Sequence, residues 1–172
     1  MSMSISNVKI GQDCKPFVIA EMSGNHNQSL EQAIEIVRAA KRTGASAIKL
    51  QTYKPETLTI NVKNPDFLVD DSDSLWKGSY LFELYQSAYT PWEWHEAIFN
   101  EAKNLGLVYF SSAFDESSVD FLETLDVPAY KIASFENSHL PLVKKIAATG
   151  KPVIVSTGMA TLEEIEETIS TL

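Results

Sequence analysis

Five short apolar runs, each followed by a helical pattern, constrain the fold of this chain more than any other feature. The runs are FVIAE, AIKLQ, VYFSS, AYKIAS and PVIVST, at residues 17–21, 47–51, 108–112, 129–134 and 152–157. Each has the length and composition of a buried strand. Because strands alternate with helices, we predict repeated βαβ units and a parallel sheet. Residues 7–16 are expected to form a short hairpin, and residues 53–90 a long insertion after the second strand.

Capping residues mark the helix boundaries. Ser29 followed by Gln32 predicts a capping box at the start of the first helix. Thr90 is expected to cap the helix that follows the insertion, and Asp115 the one after it. His95 falls on the helix after the insertion and is expected at the surface.

Two lysines in the middle of apolar strands decide between two folds. Five βα units fit either an open doubly wound sheet or a (β/α)8 TIM-type barrel truncated after about five units; a whole barrel has about 250 residues. Lys49 and Lys131 would be buried on both faces of a doubly wound sheet, where an unpaired lysine is rarely found. In a barrel, one face of each strand points to an interior that opens at the C-terminal rim. The lysines favour the barrel, although edge positions with the charged ends reaching solvent are an alternative.

Acidic and hydroxyl side chains follow the strands at the same rim. Glu21 ends the first strand, Ser112 the third, Ser134 and Glu136 follow the fourth, and Ser156 follows the fifth. Barrel enzymes place their catalytic groups at this edge. Each serine alone could instead cap the next helix. Together with the two lysines, the hydroxyls predict a site for a phosphate or carboxylate.

The loop after the first strand and the insertion leave alternatives open. Asn25 and His26 could contact a ligand, but both residue types are also common in turns. The aromatic residues of the insertion, among them Trp76 and Tyr85, could pack against the body of the protein or contact a ligand. No two histidines have the spacing of metal ligands, so no metal site is predicted in this segment.

Composition excludes several classes of partner. The 14 lysines and arginines against 23 aspartates and glutamates give a net charge of −9. This balance argues against a nucleic-acid surface or a polybasic membrane patch, so an anionic ligand would need positive charges placed locally. Cys14 is the single cysteine, which excludes an internal disulfide and fits a reducing, cytoplasmic location. The first residues do not form a signal peptide, and no apolar run has the length of a membrane span.

Several strings resemble the sialic acid synthase family. They are IAEMSGNHN, IKLQTY, YTPWEWH, FSSAFDESSVDFLE, VPAYKIASFEN and GKPVIVSTGM, and the resemblance runs from about residue 15 to the end. LWKG at 75–78, AYTPWEWH at 88–95 and SFEN at 134–137 look most like the pseudaminic acid synthase branch, which uses a diacetamido-trideoxy sugar. Members of the family condense phosphoenolpyruvate with an N-acetylated amino sugar to a nine-carbon acid and release phosphate.

The resemblance assigns roles to the rim residues. Glu21 matches the carboxylate near the reacting carbon of the sugar, and Glu136 is a second acid–base candidate. Gln51 matches a residue that contacts the sugar, and Asn25 is a further sugar-binding candidate. The phosphoenolpyruvate-binding positions correspond to Lys49, Ser112, Lys131, Ser134 and Ser156.

The resemblance also implies parts that lie outside residues 1–172. In the family, a divalent metal (Mn2+ or Mg2+) polarises the sugar aldehyde, its histidine ligands lie on later strands, and an antifreeze-like domain of a partner subunit covers the site. A homodimer is therefore expected for the full-length protein, and the segment alone is expected to be inactive. Two alternatives are a class I aldolase with a lysine Schiff base on pyruvate and a non-catalytic fragment that associates through its open sheet edge.

Overall fold

A two-stranded hairpin opens the structure, a computed structural model that describes residues 2–172. Strands β1 (Ser2–Ile5) and β2 (Val8–Gly11) pair antiparallel across a turn at Ser6 and Asn7, with Ser6 at a φ of +53°. The predicted hairpin at residues 7–16 therefore lies too late in the chain. Polar residues alternate with apolar ones before residue 7, and this short pattern gave only a weak strand signal.

The second sheet has five parallel strands whose spatial order follows the chain. The strands are β3 (Ile19–Glu21), β4 (Ala47–Thr52), β5 (Val108–Ala113), β6 (Tyr130–Ile132) and β7 (Val153–Val155). A doubly wound sheet reverses its strand order at a switch point, and this sheet has no such reversal between β3 and β7. The fold is a (β/α)8 TIM-type barrel truncated after five βα units, as predicted.

Seven α-helices accompany the strands in the described part of the chain. They are α1 (Leu30–Arg42), α2 (Pro55–Leu58), α3 (Leu81–Ala88), α4 (His95–Asn104), α5 (Glu116–Thr124), α6 (Leu140–Ala147) and α7 (Leu162–Thr171). Short 3-10 helices lie at Pro65–Phe67 and Trp92–Trp94. The insertion contains α2, α3 and the first 3-10 helix. No helix in residues 2–172 is long and apolar enough to cross a membrane.

Two of the predicted caps differ from the structure in detail. Ser29 caps α1 by accepting from the Gln32 N–H at 3.2 Å, but the Gln32 side chain donates to the Asn25 carbonyl at 2.9 Å, so the capping box is incomplete. The Thr90 hydroxyl bonds to the His26 ring instead of capping a helix. Both side chains thus hold the loop between β3 and α1 in place. Asp115 caps α5 as predicted.

The two faces of the five-stranded sheet contact different cores. The outer face, with residues such as Ile48 and Leu50, packs against the helices. The inner face carries Ala47, Phe110 and Ala129, which are fully buried together with Ile5 of the hairpin. The hairpin therefore closes the N-terminal end of the half-barrel, and the polar inner residues lie at the C-terminal end.

Candidate active site

Lys49 forms the centre of a polar cluster on the inner face of the sheet. In the parallel register, Lys49 lies beside Glu21 of β3. Its Nζ forms an ion pair with Glu21 Oε2 and donates to Ser112 Oγ at 3.3 Å. Only 13% of the Lys49 side chain is exposed, so this lysine lies in the interior that the sequence predicted and is not an edge residue.

Glu21 contacts both Lys49 and the loop that follows β3. Its Oε1 accepts from the Ser23 backbone N–H at 3.2 Å and from the Ser23 hydroxyl at 3.3 Å. The Glu21 side chain is 40% exposed, which keeps the carboxylate accessible from the rim. A carboxylate among anion-binding groups would be repelled by an anionic ligand, and the Lys49 charge offsets this cost.

Lys131 lies directly across from Ser112 in the register of β5 and β6. Its Nζ donates to the Ile132 carbonyl oxygen at 2.5 Å, and the Ser156 N–H donates to the same oxygen at 3.0 Å. Burial lowers the pKa of Lys131, and the nearby Lys49 charge lowers it further, while Glu136 and Glu21 oppose this effect. The two lysines are therefore close enough to repel each other electrostatically. An anion bound between them would reduce this repulsion.

The last two hydroxyls lie at the ends of β6 and β7. Ser134 packs against Gly158, where a Cβ atom would lie 2.9 Å from Ser134 Oγ. The Ser156 carbonyl accepts from the Asn137 side chain at 3.3 Å. The structure thus places all five predicted anion-binding residues along one edge, and we call them the anion cradle (Lys49, Ser112, Lys131, Ser134 and Ser156).

Glu136 differs from the other polar groups because one of its carboxylate oxygens is unpaired. Glu136 Oε2 is buried and has no hydrogen-bond partner among residues 2–172. Burial raises the pKa of Glu136, while its own backbone, Lys131 and His139 oppose the shift. A raised pKa is the direction of shift that a carboxyl group needs to act as a general acid.

Asn25 and Gln51 line a neighbouring cavity of about 680 Å3. The insertion supplies one wall through Trp76, Leu84 and Tyr85, and the loop after β3 supplies another. We call this cavity the neutral pocket, because only uncharged residues line it within residues 2–172: Ser23, Gly24, Asn25, Asn27, Gln51, Tyr53, Trp76, Leu84, Tyr85, Ser87 and Ala88. Ser23 connects the neutral pocket to Glu21 and so to the anion cradle.

Sequence reasoning left open whether the insertion aromatics contact a ligand, and it missed Tyr53. Trp76 and Tyr85 line the neutral pocket, whereas Phe82 lines a separate cleft of about 340 Å3 on the outside. The Tyr53 hydroxyl donates to the Tyr85 carbonyl at 3.4 Å, and burial raises its pKa. The sequence did contain a signal for Tyr53. Tyr53 lies two residues after Gln51, so the period-2 alternation of the strand places both on the inner face.

The prediction for His95 was wrong, and His26 is also structural. His95 is fully buried; its Nε2 lies 2.9 Å from Thr52 Oγ1, which lies 2.6 Å from Ser111 Oγ. His95 Nδ1 donates to the Pro91 carbonyl at 3.2 Å, since a carbonyl can only accept. His26 is buried beside Trp94 and bonds to Thr90, so it faces the protein interior.

The described residues do not supply a metal site. Within residues 2–172, no group of three or more histidine, cysteine, aspartate or glutamate side chains could hold a metal ion. The described residues therefore do not supply the donor set for the divalent metal that the family resemblance implies.

The parallel five-stranded half-barrel, with its polar residues at the C-terminal rim, defines the fold class as a truncated TIM-type barrel. The chain belongs to the NeuB family, whose model matches residues 36–172. It is 50% identical over 163 residues to the pseudaminic acid synthase of Campylobacter jejuni, which covers 95% of this chain and 46% of that protein. Identity to the pseudaminic acid synthase of Helicobacter pylori is 46%, over 90% of this chain and 45% of that protein.

A solved structure supports the same assignment. The N-acetylneuraminic acid (sialic acid) synthetase of Leptospira borgpetersenii superposes with a TM-score of 0.85 at 26% identity, over 99% of this chain and 54% of that one. The chain spans about half the length of the curated relatives it matches.

Proposed function

We propose that the full-length protein condenses phosphoenolpyruvate with an N-acetylated amino sugar, a diacetamido-trideoxy hexose, to a nine-carbon sialic-type acid and releases phosphate. The observation that carries this proposal is the contrast between two adjoining sites. One holds two partly buried lysines and three hydroxyls, and the other is lined by amides, hydroxyls and aromatic rings. The first suits a small polyanion and the second a neutral, amide-bearing sugar.

The anion cradle matches phosphoenolpyruvate in charge and in hydrogen bonding. Lys49 and Lys131 place two positive charges on the inner faces of β4 and β6, the two strands that flank β5, in a chain of net charge −9. The hydroxyls of Ser112, Ser134 and Ser156 can donate to phosphate or carboxylate oxygens. Charges held in a partly buried site act more strongly than in water and need no reorganisation during the reaction.

The proposed reaction uses this cradle mainly for positioning. C3 of phosphoenolpyruvate forms a bond to the aldehyde carbon of the open-chain sugar, water adds at C2, and phosphate leaves by C–O cleavage. Lys49 and Lys131 hold the anionic ends of phosphoenolpyruvate, which converts a bimolecular encounter into an oriented one. The aldehyde oxygen gains a proton when the carbon–carbon bond forms, and the added water loses one as phosphate leaves. Glu21 contacts Ser23, which lines the neutral pocket, and is the candidate to transfer the proton to the aldehyde oxygen.

Glu136 is the second candidate acid–base group. Its buried Oε2 has no hydrogen-bond partner among residues 2–172, and burial raises its pKa, the direction that favours a general acid. The Mn2+ or Mg2+ requirement, the homodimer and the cytoplasmic location are parts of the proposal that rest on the family, and we expect the metal ligands to lie outside residues 2–172. For the same reason we expect the 172-residue segment alone to be inactive.

Binding of phosphoenolpyruvate to the full-length protein tests the proposal directly. Lys131→Ala should weaken binding by at least 100-fold, because it removes a charge-assisted contact and leaves Glu136 without its nearest cation. Lys131→Met tests the charge while keeping most of the side-chain volume. Lys144→Ala, at an exposed position on α6, is the control and should bind normally. Unchanged affinity in Lys131→Ala would remove Lys131 from the site.

A class I aldolase is the second candidate, because the lowered pKa of Lys131 favours a neutral, nucleophilic amine. Borohydride reduction in the presence of pyruvate separates the two activities. A covalent adduct on Lys131 would support the aldolase and refute the synthase. Absence of an adduct, with phosphate released from phosphoenolpyruvate only when an acetamido sugar is present, would support the synthase.

A further inference from the structure

The turn that carries Trp76 is held in one conformation by backbone hydrogen bonds. Leu68 pairs with Tyr80 in an antiparallel bridge. The Gly78 N–H donates to the Val69 carbonyl at 2.8 Å, and the Val69 N–H donates to the Ser79 carbonyl at 3.0 Å. These hydrogen bonds join the two ends of the segment at residues 70–77. They hold Trp76 in place within the insertion.

The insertion is in turn fastened to the loop that follows β3. The Gln28 side chain donates to the Ser87 carbonyl at 3.1 Å and to the Tyr89 carbonyl at 2.7 Å. Gly24 lies against Ala88, where a Cβ atom would come within 2.8 Å of the Ala88 carbonyl oxygen. These contacts join the insertion to the loop after β3, which are the two walls of the neutral pocket. Trp76 is therefore held at the pocket.

Trp76 lines the neutral pocket but is not packed into the protein. The residue is 57% exposed, in contrast to Tyr53 on the opposite side, which is 3% exposed. Its neighbour Leu75 is 96% exposed and does not line the pocket. The indole therefore presents an uncovered apolar surface at the mouth of a cavity whose volume falls in the range of about 300–1,000 Å3 that is usual for small-molecule sites.

We infer that Trp76 is a specificity-determining residue that packs its indole on an acetamido group of the sugar held in the neutral pocket. An acetamido group has a flat amide and a methyl group. The side chains of Asn25, Asn27 and Gln51 match the amide, since they can both donate and accept hydrogen bonds. In a sugar with two acetamido groups these side chains can hold one of them, and the Trp76 ring matches the methyl group and the amide plane of the other.

This inference rests on the proposed function, and it predicts which group of the substrate the insertion contacts. A sugar with two acetamido groups has one that the amide side chains can hold near Gln51 and a second that can reach the pocket mouth. The Trp76 contact should therefore matter for a diacetamido sugar and matter little for a sugar with a single acetamido group. The insertion, residues 53–90, would then set the choice between these sugars.

Steady-state kinetics of the full-length protein with a diacetamido and a monoacetamido hexose test the inference. Trp76→Ala should raise KM for the diacetamido sugar about tenfold, which corresponds to the loss of one aromatic contact and its buried area. KM for phosphoenolpyruvate should stay within about twofold, since the anion cradle does not contact Trp76. Trp76→Phe should lie between, and Leu75→Ala, in the same turn, should resemble the wild type.

Tryptophan fluorescence gives a readout independent of turnover. Trp92 stacks on Phe121 at 4.5 Å between ring centroids, and Trp94 packs edge-on against His26 at 5.6 Å. Trp76 is thus the indole that a sugar in the neutral pocket would reach. Addition of the diacetamido sugar should change the emission of the wild type, and this change should be lost in Trp76→Phe.

The outcomes separate the two proposals. An unchanged KM for the diacetamido sugar in Trp76→Ala, with Gln51→Ala still impaired, would overturn the inference and leave the proposed function intact. An equal loss with both sugars would show a contact that does not discriminate and would also overturn it. Failure of the wild type to consume phosphoenolpyruvate with any acetamido sugar would refute the proposed function.

Discussion

The buried His95 makes the stability of this protein depend on pH in a direction that can be measured. His95 is 0% exposed and its ring packs edge-on against Phe99 and Phe121. Burial lowers its pKa to about 4. In the unfolded chain an imidazole has a pKa of about 6.5. The unfolded state therefore binds a proton in a pH range where the folded state does not, so acid favours unfolding.

The size of the effect follows from the two pKa values. His95 contributes its full stabilisation above pH 6.5, and this contribution is lost as the pH falls towards 4. For pKa values of about 6.5 and about 4, the free energy of unfolding should fall by about 2 kcal/mol between pH 7 and pH 5 because of this one residue. At still lower pH the loss should approach about 3 kcal/mol.

Urea unfolding at pH 7 and pH 5, followed by circular dichroism, measures this quantity. His95→Gln removes the titrating ring and should reduce the pH-dependent loss by about 2 kcal/mol relative to the wild type. The variant should be less stable at pH 7, because Thr52 and Pro91 lose well-placed partners. Lys144→Gln, at an exposed position on α6, is the surface control and should keep the wild-type difference. An identical pH dependence in His95→Gln and the wild type would refute the reasoning.

Two further predictions concern the rim. Gly158→Ala should raise KM for phosphoenolpyruvate several-fold with little change in the far-UV spectrum, because the new methyl group would displace Ser134 Oγ, now 2.9 Å from that position. Glu136→Gln should become more stable relative to the wild type as the pH rises above 4.5, since burial raises the carboxyl pKa and the ionised form is disfavoured in the folded state. A constant stability difference from pH 4 to pH 8 in urea titrations would contradict the second prediction.

The strands and the helix caps were predictable from the sequence where the local residue patterns agreed with each other. The five strands, Asp115 as a cap and the barrel-type inner face of Lys49 and Lys131 all follow from periodicity and from the rarity of buried lysine. Thr90 and His95 were misjudged because their partners lie far away in the chain, 64 and 43 residues from them. A hydroxyl before a helix looks like a cap in any local pattern, and only the fold shows that it bonds to His26 instead.

The same distinction explains why the position of the two lysines could be predicted and the neutral pocket could not. Lys49 and Lys131 lie on strands, where the period of two fixes the direction of every side chain once one of them is known. The neutral pocket depends on an insertion whose path is set by single contacts such as Gln28 with the Tyr89 carbonyl at 2.7 Å. Since no periodicity governs such a segment, its residues can change without disturbing the sheet. Under the proposed function, Lys131, which would bind phosphoenolpyruvate, lies on a strand, whereas Trp76, which would contact the sugar, lies on the insertion.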